Sequence, residues 1–380
     1  MIKRAISGIA LAAIVSISPR VSAQNKLIDK FLSNKKDTTR SASFLPLPVI
    51  GYAQETGLEF GLLPLYSFYT DKSDTLTRTS SVSAIATYTT NQQSNFYLKS
   101  DIWTPQNKYH FTSEFRYKDF PFNFYGTGDR TLDVNKELVT QKQFKAGVEA
   151  EKRFGPGAYT GVTVNYENYR FYDRVAGGIY PNNISVFDPD GGQVLFIGLS
   201  QIIDSRNSNT YTTRGTLIKI NYAYAPGFFG GDSFKGSQTR IDVRNFHSFN
   251  KKTVLGINGN YQSLAGTRVP FYLMRQLGND AMMRGYYTGR YRDQNMLALQ
   301  GELRYRFIPR LGVAAFAAAG TVYAPRSLDF DGIKPSAGAG LRYFFDIDRG
   351  LSVRVDYAVG EKRPGEKRQN GFYLSLGEAF

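Results

Sequence analysis

The chain has 380 residues, with 47 Lys and Arg against 32 Asp and Glu, a formal net charge of +15 and no cysteine, which excludes disulfides and cysteine-ligated metals. Aromatics make up 14% of it (26 Tyr, 28 Phe), yet mean hydropathy is only −0.34. No later apolar run approaches the roughly eighteen residues of a helical membrane span.

The chain opens Met1-Ile2-Lys3-Arg4, continues with an apolar run over 5–17 and reaches Val21-Ser22-Ala23 before Gln24. A charged start, a short apolar stretch and a small-residue site predict a secretory signal peptide over 1–23. No cysteine follows the cleavage site, so a lipoprotein anchor is excluded. Residues 24–44 are too few for a folded domain. Leu27, Ile28, Phe31 and Leu32 fall at helical spacing beside Lys26, Lys30, Lys35 and Lys36, the pattern of a short basic amphipathic helix. At this length a frayed, solvated terminus competes with it. Either way the segment is expected in the periplasm.

From residue 45 onward the polarity alternates with period two. In 351–357, Leu351, Val353, Val355 and Tyr357 share one face, and Ser352, Arg354 and Asp356 share the other. In 162–167, Val162, Val164 and Tyr166 oppose Thr163, Asn165 and Glu167. A soluble sandwich would bury apolar faces; here the apolar face suits lipid and the charged face a wet lumen. Sixteen such segments can be counted: 45–54, 57–69, 78–90, 93–104, 107–119, 138–154, 157–172, 192–203, 214–225, 236–249, 252–264, 295–308, 310–323, 335–346, 350–360 and 369–380. The expected fold is all-β: a sixteen-stranded antiparallel transmembrane β-barrel over 45–380, in a bacterial outer membrane. Surplus positive charge then has a place in the lumen and in loops facing anionic lipid headgroups. Nucleic acid is not an expected partner for such a barrel.

Connection lengths give an independent check. Turns after even-numbered segments are mostly tight, as at Gly155-Pro156-Gly157 and Pro309-Arg310, whereas 121–137, 173–191, 265–294 and 326–334 are long. Short periplasmic turns and long outer loops are the rule for outer-membrane barrels. The chain ends Gly371-Phe372-Tyr373-Leu374-Ser375-Leu376-Gly377-Glu378-Ala379-Phe380, with Phe372, Leu374, Leu376 and Phe380 expected on one face of a last strand and Glu378 interrupting the parity.

The sixth long loop holds Met283-Arg284-Gly285-Tyr286, and the following strand presents Gln300, Glu302, Arg304 and Arg306 on one face. An arginine-glycine-aromatic turn opposite an inward acid resembles the lid-loop signature of the BamA/TamA superfamily, also called bacterial surface antigen proteins. Further stretches resemble that family. They are Tyr52-Ala53-Gln54-Glu55-Thr56-Gly57 (first hairpin), Tyr125-Gly126-Thr127-Gly128-Asp129 (third loop) and Asp204-Ser205-Arg206 with Arg214-Gly215 (an aspartate-x-arginine turn, with Thr212 where proline is usual). The chain end resembles the C-terminal signal that the barrel-assembly machinery reads in its clients.

The resemblance implies that the sixth extracellular loop folds inward and that Arg284 pairs with Glu302. The family's second acid, expected within 316–320, is replaced by Ala318, so Arg284 is expected to depend on Glu302 alone. The expected form is one lacking periplasmic polypeptide-transport repeats. The implied function is a non-enzymatic, partner-dependent module of outer-membrane protein assembly or translocation. Its expected partners are outer-membrane lipid and lipopolysaccharide, the barrel-assembly machinery for its own insertion, and periplasmic or outer-membrane proteins. A different class of reading, a self-contained pore or structural barrel, stays open. His110 and His247 stand without a triad or ligand set, so no catalytic residue, metal or cofactor is expected.

Overall fold

A computed structural model describes residues 40–53, 57–172, 176–182, 186–230 and 233–380. The expected signal peptide and residues 24–39 of the expected N-terminal segment lie outside the described residues, as does the tip of the first hairpin. Sixteen strands form one antiparallel sheet, each bonded to its neighbour in sequence. We label them β1 (Ser43–Ala53), β2 (Gly57–Phe68), β3 (Ser80–Thr89), β4 (Ser94–Trp103), β5 (Tyr109–Phe124), β6 (Glu137–Gly155), β7 (Ala158–Tyr172), β8 (Gly191–Asp204), β9 (Gly215–Pro226), β10 (Lys235–Ser248), β11 (Thr253–Gly266), β12 (Asn295–Ile308), β13 (Leu311–Tyr323), β14 (Lys334–Asp346), β15 (Leu351–Val359) and β16 (Asn370–Leu376). The sheet curls into the outer-membrane barrel that the alternation predicts.

Along β12 the period-two logic is plain. Leu297, Leu299, Leu303 and Tyr305 are exposed to lipid, while Gln300, Glu302 and Arg304 are buried inside. Two strands depart from the expected spans for physical reasons. β5 runs on to Phe124, pairing with Glu137 across a full ladder, because its upper end is covered by loop aromatics. The last strand stops at Leu376 instead of reaching 380. Gly377 takes φ +73, a left-handed conformation that favours glycine, and it turns the tail inward. Phe380 is therefore not on the lipid face with Phe372, Leu374 and Leu376. It is buried in the lumen against Phe246, with ring centroids 5.8 Å apart.

β1 and β2 break the alternation. Both faces of β1 are apolar: Phe44, Pro46, Pro48 and Ile50 point outward, and Leu45, Leu47 and Val49 point inward. Leu45 and Leu65 form one apolar cluster with Phe345 and Leu351, against which Leu47, Tyr343, Val353 and Leu376 pack. Tyr343, Val353 and Leu376 make a cross-strand row on the outward face of β14 to β16. The inward face of β1 thus lies over the outward face of the last strands at their periplasmic end. The barrel closes by a lap joint, and Arg349 of the β14–β15 end pins it by donating to the Ser41 carbonyl.

Backbone direction explains why the joint is lapped. The Leu58 carbonyl accepts from the Thr90 amide at 2.9 Å, so even-numbered residues of β2 direct their backbone groups toward β3. Pro46 of β1 stands opposite Pro64 of β2, even against even. The backbone positions of Pro46 and Pro48 therefore face the free edge, where neither has an N–H to donate. Among the described residues no ladder joins β1 to β16.

Candidate functional site

The sixth loop, residues 267–294, descends into the barrel instead of standing above it. Its base is held by packed rings: Phe271 lies 5.8 Å from Phe124 and 4.9 Å from Phe171. A two-residue ribbon, Arg275–Gln276 with Arg292–Asp293, narrows the loop. The Gly128 amide of the third loop donates to the Arg292 carbonyl at 2.7 Å, so the third-loop motif docks on the sixth loop. At the upper rim the Tyr291 hydroxyl donates to Glu361; burial, then this bond and the Glu361 charge, push its pKa up to about 12.

The loop tip is built on unusual backbone. Met283 has φ +53 and Gly285 φ +106, a conformation only glycine adopts at low cost. A Cβ on Gly285 would sit 2.8 Å from the Val359 carbonyl carbon. This close approach lets the Gly285 amide donate to the Tyr373 hydroxyl at 2.8 Å, and the Tyr286 hydroxyl to the Pro335 carbonyl at 2.5 Å. Tyr286 and Met283 are buried in one apolar cluster with Leu277, Met296 and Val322.

Arg284, thus aimed, is fully buried. Its Nη2 donates to Glu302 Oε2 and its Nη1 to Asp356 Oδ2, each at 2.6 Å. The guanidinium carbon also lies over the Phe316 ring, 3.3 Å from its centroid. The second acid is present after all: Asp356 of β15 does what the Ala318 position does not, and dependence on Glu302 alone does not hold. Around this fork four arginines meet four carboxylates. Arg304 donates to Glu302 at 2.8 Å, Arg342 to Asp356 at 2.6 Å and to Glu378 at 2.9 Å, and Arg354 to Asp356 at 2.7 Å and to Asp280 at 2.9 Å. The inward tail joins this network, because Arg304 Nη2 donates to the Phe380 carbonyl at 2.8 Å. Burying such a set has a desolvation cost that its ion pairs offset only in part, whereas breaking one partner leaves buried charge uncompensated. Asp356, Arg342, Arg354, Asp280 and Glu378 were not among the expected site residues. Arg354 and Asp356 share the inward parity of their strand, which is the signal that would have pointed to them.

The aspartate-x-arginine turn forms a periplasmic floor. Arg206 grips Asp204 by two bonds, Nε to Oδ1 at 3.0 Å and Nη2 to Oδ2 at 2.9 Å. Arg78, from the β2–β3 turn, also donates to Asp204. Gly215 closes the turn at φ +104, where a Cβ would meet the Ser205 carbonyl oxygen at 2.3 Å. Asn209 donates to the Thr79 carbonyl at 2.8 Å, and Tyr211 packs edge-on against Phe344. The β2–β3 turn is itself knit: the Thr77 hydroxyl and Leu76 amide bind the Asp74 carboxylate and hold it below its usual pKa.

His110 is stacked on Trp103, its Nδ1 2.6 Å from Glu151 and its Nε2 3.3 Å from Asp101. It serves a lumenal ion-pair group that also includes Lys219. His247 lies at the exposed end of β10 beside Phe249.

A family model described as the Omp85 superfamily domain matches residues 75–380. Three solved structures share the fold. BamA from Haemophilus ducreyi lacking POTRA domains 1-3 aligns with a TM-score of 0.53 at 15% identity, over 89% of this chain and 70% of that one. CdiB from Acinetobacter baumannii (TM-score 0.54, 11% identity) and CdiB from Escherichia coli (0.54, 12%) align over 89% of this chain, and over 59% and 62% of theirs. This chain thus spans about three fifths of the length of each CdiB. No curated protein matches the sequence.

Proposed function

The chain belongs to the Omp85 superfamily, and on that premise we propose that it is a non-enzymatic module for assembling or translocating proteins at the outer membrane, working with partner proteins. The observation that carries this reading is the lapped seam. β1 offers Pro46 and Pro48 at its free edge, and β16 is only seven residues long. A net contribution of about 0.5–1.5 kcal/mol per hydrogen bond is missing at each proline, so the seam is the weakest line in the sheet. An edge that can part is able to accept an incoming strand by main-chain pairing.

The lid loop supports the same reading from the inside. It braces β12, β14 and β15 through Glu302, the Pro335 carbonyl and Asp356, so the wall beside the seam keeps its shape when the seam parts. The partners follow from the setting: membrane lipid and lipopolysaccharide around the wall, the assembly machinery at insertion, and periplasmic or outer-membrane proteins at the mouths.

The test joins two measurements on cells lacking the gene and on the purified barrel. Loss of specific outer-membrane or exported proteins after deletion, together with a closed barrel in planar bilayers, is the expected result. An unchanged outer-membrane proteome together with steady conductance would instead favour a self-contained pore.

A further inference from the structure

Between the sixth loop and the inner wall of β5 to β11 lies a cavity of about 740 Å³. Six cations line it, Arg116, Lys118, Lys145, Arg240, Arg275 and Arg292, against the single carboxylate of Glu167. That carboxylate is already taken, by Lys145 at 2.9 Å and by the Tyr169 hydroxyl at 2.6 Å. The imbalance is local. Deeper in the lumen Lys219 is paired with Glu149 and Glu151, and every arginine around the lid-loop fork has its acid.

Arg240 and Arg275 show the anomaly most sharply. Both donate an Nη2 to the same neutral oxygen, Gln238 Oε1, at 3.3 and 3.0 Å. Their Nε atoms are buried without a hydrogen-bond partner among the described residues, as are those of acid-paired arginines such as Arg284 and Arg354, so the shared amide and the missing carboxylate are what set this pair apart. Two like charges converging on one amide, with donors unspent, are costly unless an anion sits between them. Arg116 and Lys118 add two more positive charges from one face of β5, with no carboxylate at ion-pair distance among the described residues.

We propose that this cavity binds a sugar phosphate. Planar guanidinium forks match the oxygens of a phosphate, which can accept from two of them at once. Gln141, Gln143 and Gln262 line the cavity beside them and supply paired donors and acceptors suited to hydroxyl groups. The volume falls within the range of small-molecule sites. A phosphate on a hydroxylated body meets both features; a bare anion meets only the first.

The full chain, purified in detergent micelles, is titrated calorimetrically with glucose 6-phosphate, inorganic phosphate and glucose. Expected is saturable binding of the ester, at least tenfold tighter than inorganic phosphate, and none of glucose. Arg240→Gln and Arg275→Gln each weaken it at least tenfold, Arg275→Lys less, and Arg326→Gln in an outer loop leaves it unchanged. Heat-modifiable gel mobility certifies that each variant is a folded barrel. Equal affinity for ester and inorganic phosphate would overturn the sugar phosphate in favour of a free-phosphate site. No binding by the folded wild type, or binding unmoved by both glutamine variants, would overturn the site altogether.

Discussion

Arg284 and Asp356, 72 residues apart in the chain, are joined at 2.6 Å, and the same guanidinium reaches Glu302 at the same distance. One arginine at the tip of a loop thereby ties two strands, β12 and β15, that are not neighbours in the sheet. The lock is therefore a cross-brace of the barrel wall near the seam.

Removing one partner of a buried pair costs about 3–5 kcal/mol when the remaining charge stays buried. Here the acids are shared: Glu302 keeps Arg304, Asp356 keeps Arg342 and Arg354, and Arg284 keeps whichever acid remains. Glu302→Ala and Asp356→Ala should each loosen the loop by less than that about 3–5 kcal/mol range, whereas the double change strips Arg284 and should exceed their sum. Protease accessibility of 267–294 in intact cells measures it. Strict additivity would mean that the two acids do not share the arginine.

Gly285→Ala keeps every charge and alters only the tip backbone. At φ +106, with Val359 2.8 Å from the new Cβ, the tip has to move. We expect loosening at least equal to that of Arg284→Ala, by the same protease assay. A variant as protected as the wild type would show that the tip is not held by close approach.

At the seam, Pro46→Thr with Pro48→Thr restores two donors on the free edge of β1. The expected result is a stiffer barrel, with its heat-modifiable transition raised by a few degrees, and a loss of cellular function alongside. Because the chain has no cysteine, Leu47→Cys with Val353→Cys and a short thiol cross-linker gives a clean second route to the same state. If both leave function intact, strand parting at this seam plays no part in it.

The barrel was legible in the sequence because lipid and water impose opposite demands on alternate residues of every strand, as 351–357 and 162–167 illustrate. Arg284, Gly285 and Glu302 were legible as a motif. Asp356 was legible only as one inward residue among several, since strand parity says which way a side chain points and not which distant loop reaches it. The lap joint left a trace, the two apolar faces of β1, that alternation alone cannot interpret: an inward apolar face makes sense only once another strand lies beneath it. The inward tail was hidden for a similar reason. A parity count runs on through Gly377, whereas one left-handed glycine reverses it.

That tail carries the last prediction. If the C-terminal Phe380 served only as an assembly signal, Phe380→Ala would slow insertion in cells and leave the finished barrel unaffected. In the structure its ring packs on Phe246 and lies 5.1 Å from the Arg304 guanidinium, and its carbonyl accepts from Arg304. Deleting a buried phenylalanine side chain costs about 3–5 kcal/mol. Phe380→Ala should therefore lower the thermal transition of the purified barrel. Removing residues 378–380 should lower it further, because Arg342 and Arg304 then lose Glu378. The truncated barrel should also conduct more in planar bilayers, since the tail fills the lower lumen. Gly377→Ala, at φ +73, should produce a milder version of the same pair of changes. Unaltered melting and conductance in all three, with slowed insertion in cells, would assign the tail to assembly alone.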